Sequence, residues 1–257
     1  MRIIQSLLAL AIAATPALTL AETAEEIIAA SDQVRNPSEP FRSTDTLTEF
    51  VAGKPRDSET LTVYAKVDPT THQYRNLIRY VDPPRDQGKI VLLDGHQLWF
   101  FDPNSKASVR ISPQQRLIGQ ASIGDVLTVN FAIDYTATLL GDETVQDADR
   151  KDRTCWHLDM KAANDQASYN RVEYWVEHDT HYPIKAKFYA DSGRLLKILY
   201  YRIFEARLGR VRPSQAVIID AVDTSLVTTL KLGDLRPQNI PDAWFARDYL
   251  PRLQVEQ

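Results

Sequence analysis

The chain has 257 residues, 44% hydrophobic, 25% charged and 9% aromatic, the proportions of a soluble globular protein rather than a disordered or fibrous one. Thirty Lys and Arg against 34 Asp and Glu give a net charge of −4 with both signs mixed along the chain, which argues against a nucleic-acid binder. A single cysteine excludes an intramolecular disulfide and any zinc site built on paired cysteines, and nine glycines leave little material for phosphate-binding loops.

The N-terminus reads as an export signal. Met1-Arg2 precedes an apolar run from Ile3 to Ala14, Pro16 breaks it, and Thr19-Leu20-Ala21 sets small residues at the −3 and −1 positions of a cleavage site. Processing after Ala21 is expected to leave residues 22–257 as one mature domain in the periplasm, since no composition shift or flexible linker divides them. No later segment reads as a membrane span. Cys155 is then a lone thiol in an oxidising compartment, where burial is its safest state.

Residues 24–34 follow a helical period, with Ala24, Ile27, Ile28, Ser31 and Val34 on one face, Thr23 as cap and Glu25 and Glu26 in the first turn. From Ser43 the period becomes two. Leu61, Val63, Ala65 and Val67 alternate with polar residues, the next strand runs from Tyr74 to Val81, and Asp94-Gly95 joins Ile90–Leu93 to Gln97–Phe101 as a hairpin. A short strand at 108–112 follows. Residues 113–140 interrupt the rhythm and read as short helices, with Asp125 a possible cap, although Thr and Val weaken that propensity. Strands then resume: Trp156, Leu158, Met160 and Ala162 share a face, as do Val172, Tyr174 and Val176, and Ile184, Ala186 and Phe188. Strands at 195–204, 217–219 and 226–232 and a closing helix at 241–249 complete the chain.

About eleven strands with one apolar and one charged face imply an antiparallel sheet packed on one side. Its cover must come from the first helix, the 113–140 insert and the last helix. Such an arrangement leaves either a close-packed core, the commoner outcome, or an unfilled apolar interior suited to a lipid tail. Alternation alone does not choose between them.

Catalytic patterns are scarce. The chain has no Gly-x-Ser-x-Gly elbow, P-loop or His-Glu-x-x-His. His178 and His181 fall where one strand turns into the next, His157 alternates as a surface residue, and Cys155 lacks an evident activating base. On the strand through Trp99-Phe100-Phe101, Trp99 and Phe101 share one face and Phe100 takes the other. Core packing and ligand contact both account for them. Arg75 and Arg79 share a face and suit a lipid head group or plain solvation equally well.

Several stretches, in order, resemble one family. They are Ile78-Arg79-Tyr80-Val81-Asp82-Pro83-Pro84-Arg85-Asp86-Gln87-Gly88, Leu98-Trp99-Phe100-Phe101-Asp102-Pro103, the run from Arg116 to Val126, Asp134-Tyr135 through Leu140-Gly141-Asp142-Glu143, and the run from Tyr189 to Lys197. Together with the export signal and the helix–strands–insert–strands order, they resemble the LolA-like outer-membrane lipoprotein-sorting family. They look closer to the branch often found alongside RND/MMPL-type exporters than to the housekeeping carrier itself. The resemblance implies an α+β, mainly β fold: an incomplete antiparallel β-barrel, LolA/LolB-like, whose concave face is covered by helices and encloses a cavity for acyl chains. It also implies a periplasmic carrier with no enzymatic activity and no cofactor, in transient contact with membranes, with lipid or lipoprotein acyl chains as cargo and an inner-membrane RND/MMPL-type transporter as a candidate partner. The candidate acyl contacts are Trp99, Phe100 and Phe101 on the strand, and Leu117, Ile118, Ile123, Leu127 and Phe131 on the insert, with Gly119 and Gly124 as candidate hinges. An exporter adaptor that carries no lipid, and an envelope hydrolase, are the competing readings.

N-terminal sequencing of the exported protein is expected to begin at Glu22; an intact Met1 on membrane-embedded material would overturn the export signal.

Overall fold

Thr23 sets the start of the first helix, α1 (Ala24–Arg35). Its hydroxyl accepts from the Glu26 N–H at 3.2 Å while the Glu26 carboxylate accepts from the Thr23 N–H at 2.9 Å, a reciprocal capping box. The buried residues of α1 include Ala24, Ile27, Ile28, Ser31 and Val34, the face expected from the period. The far end is closed from outside the helix: Arg212 donates to the carbonyls of Gln33 and Val34 at 2.9 and 3.0 Å, a cation placed at the negative end of the dipole.

The protein is described by a computed structural model covering residues 21–95, 97–164 and 167–253. The expected export segment, apart from Ala21, lies outside the described residues. Six strands follow α1: β1 (Phe41–Val51), β2 (Lys54–Val67), β3 (Tyr74–Asp82), β4 (Ile90–Asp94), β5 (Gln97–Asp102) and β6 (Ala107–Arg110). A crossing segment carries the short hairpin β7 (Arg116–Ile118) and β8 (Ala121–Ser122), a 3-10 turn at Ile123–Asp125, and the one-turn helix α2 (Phe131–Asp134). Seven strands complete the sheet: β9 (Tyr135–Gln146), β10 (Asp152–Ala162), β11 (Arg171–Glu177), β12 (Pro183–Tyr189), β13 (Leu195–Arg207), β14 (Arg210–Asp220) and β15 (Leu226–Pro237).

Among the described residues the main sheet has thirteen strands, with two more in the β7–β8 hairpin, against about eleven expected. Its order is β6-β5-β4-β3-β2-β1-β15-β14-β13-β12-β11-β10-β9. Every neighbouring pair is antiparallel, and β1 against β15 fuses the two halves. The sheet is curved but not closed, leaving β6 and β9 as free edges. Register shifts at Arg42/Thr44, Glu49/Phe50 and Thr60/Leu61 fall on its central strands, where bulges increase bend and twist. At the first of these, a side chain on Gly233 would come within 2.8 Å of the Thr44 carbonyl, so only glycine lets the backbones approach.

Two of the expected helices are corrected. The 113–140 insert is not helical: it holds a hairpin, a 3-10 turn and a single α-turn, and residues 135–140 begin the edge strand β9. The β-branched residues of this stretch favour extended backbone, and β10 offers β9 a partner. The closing helix is two 3-10 segments, Asp242–Phe245 and Arg247–Arg252, the second containing Pro251.

The main core lies on the concave face, where Ile27 and Ile28 of α1 meet Leu47, Leu61, Val63, Ile78, Leu158, Met160, Tyr174, Ala186 and Ile218. The C-terminal segments pack on the opposite face, where Phe245 and Leu250 cover Leu77, Leu92 and Phe101. Ile184, expected beside Ala186 and Phe188, joins Cys155 and Trp175 instead, next to the register shift at Trp175/Val176.

Ile28→Ala is expected to cost about 2–5 kcal/mol, the range for emptying a buried aliphatic site. At roughly 2–4 °C per kcal/mol for a domain of this size, the loss is readable in a thermal melt. An unchanged melt would mean that α1 is not part of the core.

Candidate binding cavity

The crossing segment starts at the β6 edge and ends at the β9 edge, so it spans the open side of the sheet. Polar contacts pin it. Asn76, fully buried on β3, binds Thr128 in both directions: the Thr128 N–H donates to Asn76 Oδ1 at 2.9 Å, and Asn76 Nδ2 donates to the Thr128 carbonyl at 2.9 Å. The Asn130 N–H donates to Gln73 Oε1 at 2.7 Å. From α1, Arg35 and Asn36 both donate to the Val129 carbonyl, and the Ala132 N–H donates to Asp32 at 2.9 Å.

The opposite side is held by a buried ion pair. Lys197 on the inner face of β13 meets Asp125 of the 3-10 turn, with side chains 7% and 2% exposed. Tyr169 donates to Asp125 Oδ1 at 3.0 Å, the Ser122 N–H donates to Oδ2 at 2.8 Å, and Lys197 also reaches the Gln120 carbonyl at 3.3 Å. Gly119 sits between these anchors at φ +53°, and a β-carbon there would fall 2.3 Å from the Thr228 hydroxyl. Both its conformation and its closeness to β15 require glycine.

Beneath this strap lies a recess between β1, β13, β14 and β15. Its cavity proper is about 130 Å³, and the whole recess, including its opening to solvent, is about 870 Å³. Leu199, Ala216, Leu230 and Leu232 form the apolar part of its sheet wall, Ser43, Arg207, Arg212 and Gln215 a polar part, and Val126 and Leu127 its roof. Burial pushes the Asp45 carboxyl in the same wall up to about 7. A second, smaller cavity of about 50 Å³ adjoins, lined in part by Leu127, Phe131, Phe188 and Leu199.

The sequence-predicted contacts divide. Leu127 lines the recess and Phe131 the adjoining cavity, where the Arg35 guanidinium lies 3.8 Å above the Phe131 ring. Leu117, Ile118 and Ile123 join the main core beneath the strap. Phe100 also faces that core, edge-on to Tyr80 at 6.4 Å. Trp99 and Phe101 stand on the outer face, Phe101 under the C-terminal segments and Trp99 under Arg247 at 4.9 Å; they line no interior surface. Alternation separates Phe100 from its neighbours, but the packing of residues 240–253 decides which face is outside. Arg75 belongs to that outer packing, paired with Asp94 at 3.0 Å and set over the Phe245 ring at 4.8 Å.

Sequence reasoning missed Asp45, Asn76 and Lys197. Each is a polar residue in the apolar phase of its strand, a signal open to reading wherever one member of an alternating set is charged.

Among the described residues no group of three or more His, Cys, Asp or Glu is placed to hold a metal ion. The Cys155 thiol is buried and pushed up to about 12, away from nucleophilic use. His178 and His181 occupy the β11–β12 turn, as expected, but their rings pack on Trp156 at 4.3 and 5.2 Å.

A crystal structure of a LolA superfamily protein from Nitrosomonas europaea matches with a TM-score of 0.79 and 30% identity, covering 89% of this chain and all of that one. The chain belongs to the LolA superfamily. A family model described as "Uncharacterized protein" also matches, over residues 72–252. Two more distant structures share the LolA-like fold at a TM-score of 0.73: an outer membrane lipoprotein-sorting protein domain from Vibrio parahaemolyticus, 18% identical over 89% of this chain and 98% of that one, and a DUF1329 family protein from Desulfovibrio piger, 21% identical over 88% and 97%. No curated protein matches the chain.

Removing one partner of the strap's ion pair is expected to leave a buried charge uncompensated. Lys197→Met should cost about 3–5 kcal/mol in urea unfolding, and adding Asp125→Asn should recover part of the loss. If Lys197→Met costs nothing, the pair does not hold the strap.

Proposed function

We propose that this LolA-superfamily protein is an exported, non-enzymatic carrier that holds acyl chains of a lipid or lipoprotein in the recess under the 113–134 strap. The observation that carries the reading is the recess itself: a leucine-rich sheet wall and an apolar roof, with one side open to solvent. Burying each methylene of a chain is worth about 0.8 kcal/mol, so a few methylenes suffice for useful affinity. Release then needs the roof to move. The strap's contacts to β3 and α1 are mainly hydrogen bonds, each worth about 0.5–1.5 kcal/mol net and each exchangeable with water, so they yield more readily than a close-packed apolar seam.

The periplasmic location rests on residues 1–21, and delivery toward the outer membrane on the family's lipoprotein-sorting members, of which the Vibrio parahaemolyticus domain is one by description. Partnership with an inner-membrane RND/MMPL-type transporter rests on the sequence resemblance alone. Phe100, Leu117, Ile118 and Ile123 enter this reading as support for the roof and inner wall; Leu127 and Phe131 are its direct contacts.

Gentle extraction followed by mass spectrometry of bound lipid is the direct test. Leu127→Asp is expected to weaken displacement of a fluorescent fatty acid at least about tenfold while the melting temperature falls little, because its side chain borders open space. Phe131→Asp should reduce both, since its ring is buried against Tyr135, Tyr174 and Arg35. A Leu127→Asp protein that binds normally would move the site elsewhere.

A further inference from the structure

The sheet wall of the recess carries Ser43, Tyr201, Arg207, Arg212 and Gln215 beside its leucines, and one buried carboxylate, Asp45. Asp45 lies on β1 between Leu61 of β2 and Leu232 of β15, and it is 3% exposed. Its carboxylate borders the recess, and its Oδ1 is buried without a hydrogen-bond partner. Ser43 donates to the carboxyl group, and Arg207 attracts it from a greater distance. Among the described residues no Lys, Arg or His lies within 4.0 Å of it as an ion-pair partner. The other charged groups around the recess are engaged elsewhere: Arg35 from α1 with Asp32, Asp125 from the strap with Lys197, Arg207 from β13 with Glu205, and Arg212 from β14 with the end of α1. Tyr201 of β13 is the remaining titratable group on this wall.

A carboxylate oxygen removed from water and given no donor is costly to the fold. It is complementary to something that brings a donor. We propose that Asp45 is the polar anchor of the recess, accepting a hydrogen bond from a cargo whose polar group beside the alkyl chain is a donor, an amine or a hydroxyl, and disfavouring chains that end in a carboxylate. This rests on the carrier reading and adds the head-group class to it. An ammonium gains an ion pair in a site of low polarity, a hydroxyl gains a hydrogen bond to the free oxygen, and a fatty-acid anion meets a like charge. Because burial raises the Asp45 carboxyl, the ammonium preference grows as pH rises through neutrality and shrinks below it, while the surrounding arginines keep their charge.

The test is displacement of the apolar probe N-phenyl-1-naphthylamine from the mature chain by dodecylamine, dodecanol and laurate, at pH values about two units apart on either side of neutrality. At the higher pH the amine and the alcohol are expected to displace it at concentrations at least about tenfold below laurate. Asp45→Leu should bring the three within about threefold of one another, and Asp45→Asn should lose the amine preference while keeping that for the alcohol. If Asp45→Leu or Asp45→Asn melts like the parent and the order of competitors is unchanged, Asp45 holds only water and the anchor is wrong. If the parent takes up no probe at all, the carrier reading itself falls. Probe uptake with laurate as the strongest competitor keeps the carrier and overturns the anchor.

Discussion

An antiparallel sheet with one apolar face must bury that face, and a sheet whose edges do not meet has no second sheet with which to do so. Thirteen strands here curve around an interior served by one twelve-residue helix and a strap of about twenty residues, most of it irregular. Such a cover is too small to fill the interior evenly. On the β9–β12 side it comes nearer, because Tyr135 and Tyr174 pack on Phe131 and Tyr169 packs on Phe188, leaving a cavity of about 50 Å³ among them. On the side formed by β1, β14 and β15 the inward positions include Ser43, Asp45, Ala216 and Thr228, which are short or polar. The recess lies where side chains run out.

The same shortage of apolar material explains how the strap is attached. An irregular segment has backbone groups that no ladder satisfies, and near a core each needs a partner. Asn76, Gln73, Asn36 and Arg35 supply them on one side, and Lys197 with Tyr169 on the other. A seam built this way is specific in register but modest in net energy, because water offers each group nearly the same bond. Arg212 ties α1 into this arrangement from the recess wall, so the helix, the strap and the wall share one polar frame.

Much of the sheet was legible in the sequence because alternation is a local signal and most inward positions of its strands are apolar. The α1 capping box, the Asp94-Gly95 turn and the face shared by Leu158, Met160 and Ala162 are read from residues a few positions apart. The insert was not legible in the same way. Its backbone is decided by distant partners, Asn76 for Thr128 and β10 for the residues after Asp134, and apolar content without a clear period invites a helical reading that those partners overrule. The Trp99–Phe101 strand shows the other limit. Alternation fixes which side chains oppose each other, but whether a face is interior depends on a segment about 140 residues later, where Phe245 and Leu250 cover it. Asp45 was passed over because a single charge among threonines looks like an outward position until its phase is counted against Phe41 and Leu47.

The energetic standing of the recess also bears on its use. The recess opens to solvent, and water held against its leucines makes fewer hydrogen bonds than in bulk, a cost that a chain filling the recess relieves. A buried carboxylate oxygen without a donor adds to the cost. Both features sit in the same wall, and substitutions as small as Ala216→Leu or Asp45→Leu would reduce them. A pocket that is expensive when empty and becomes favourable when filled by a chain with a donor at one end is the physical form of a binding site: occupancy contributes to stability, and the ligand is held by the terms the empty fold lacks.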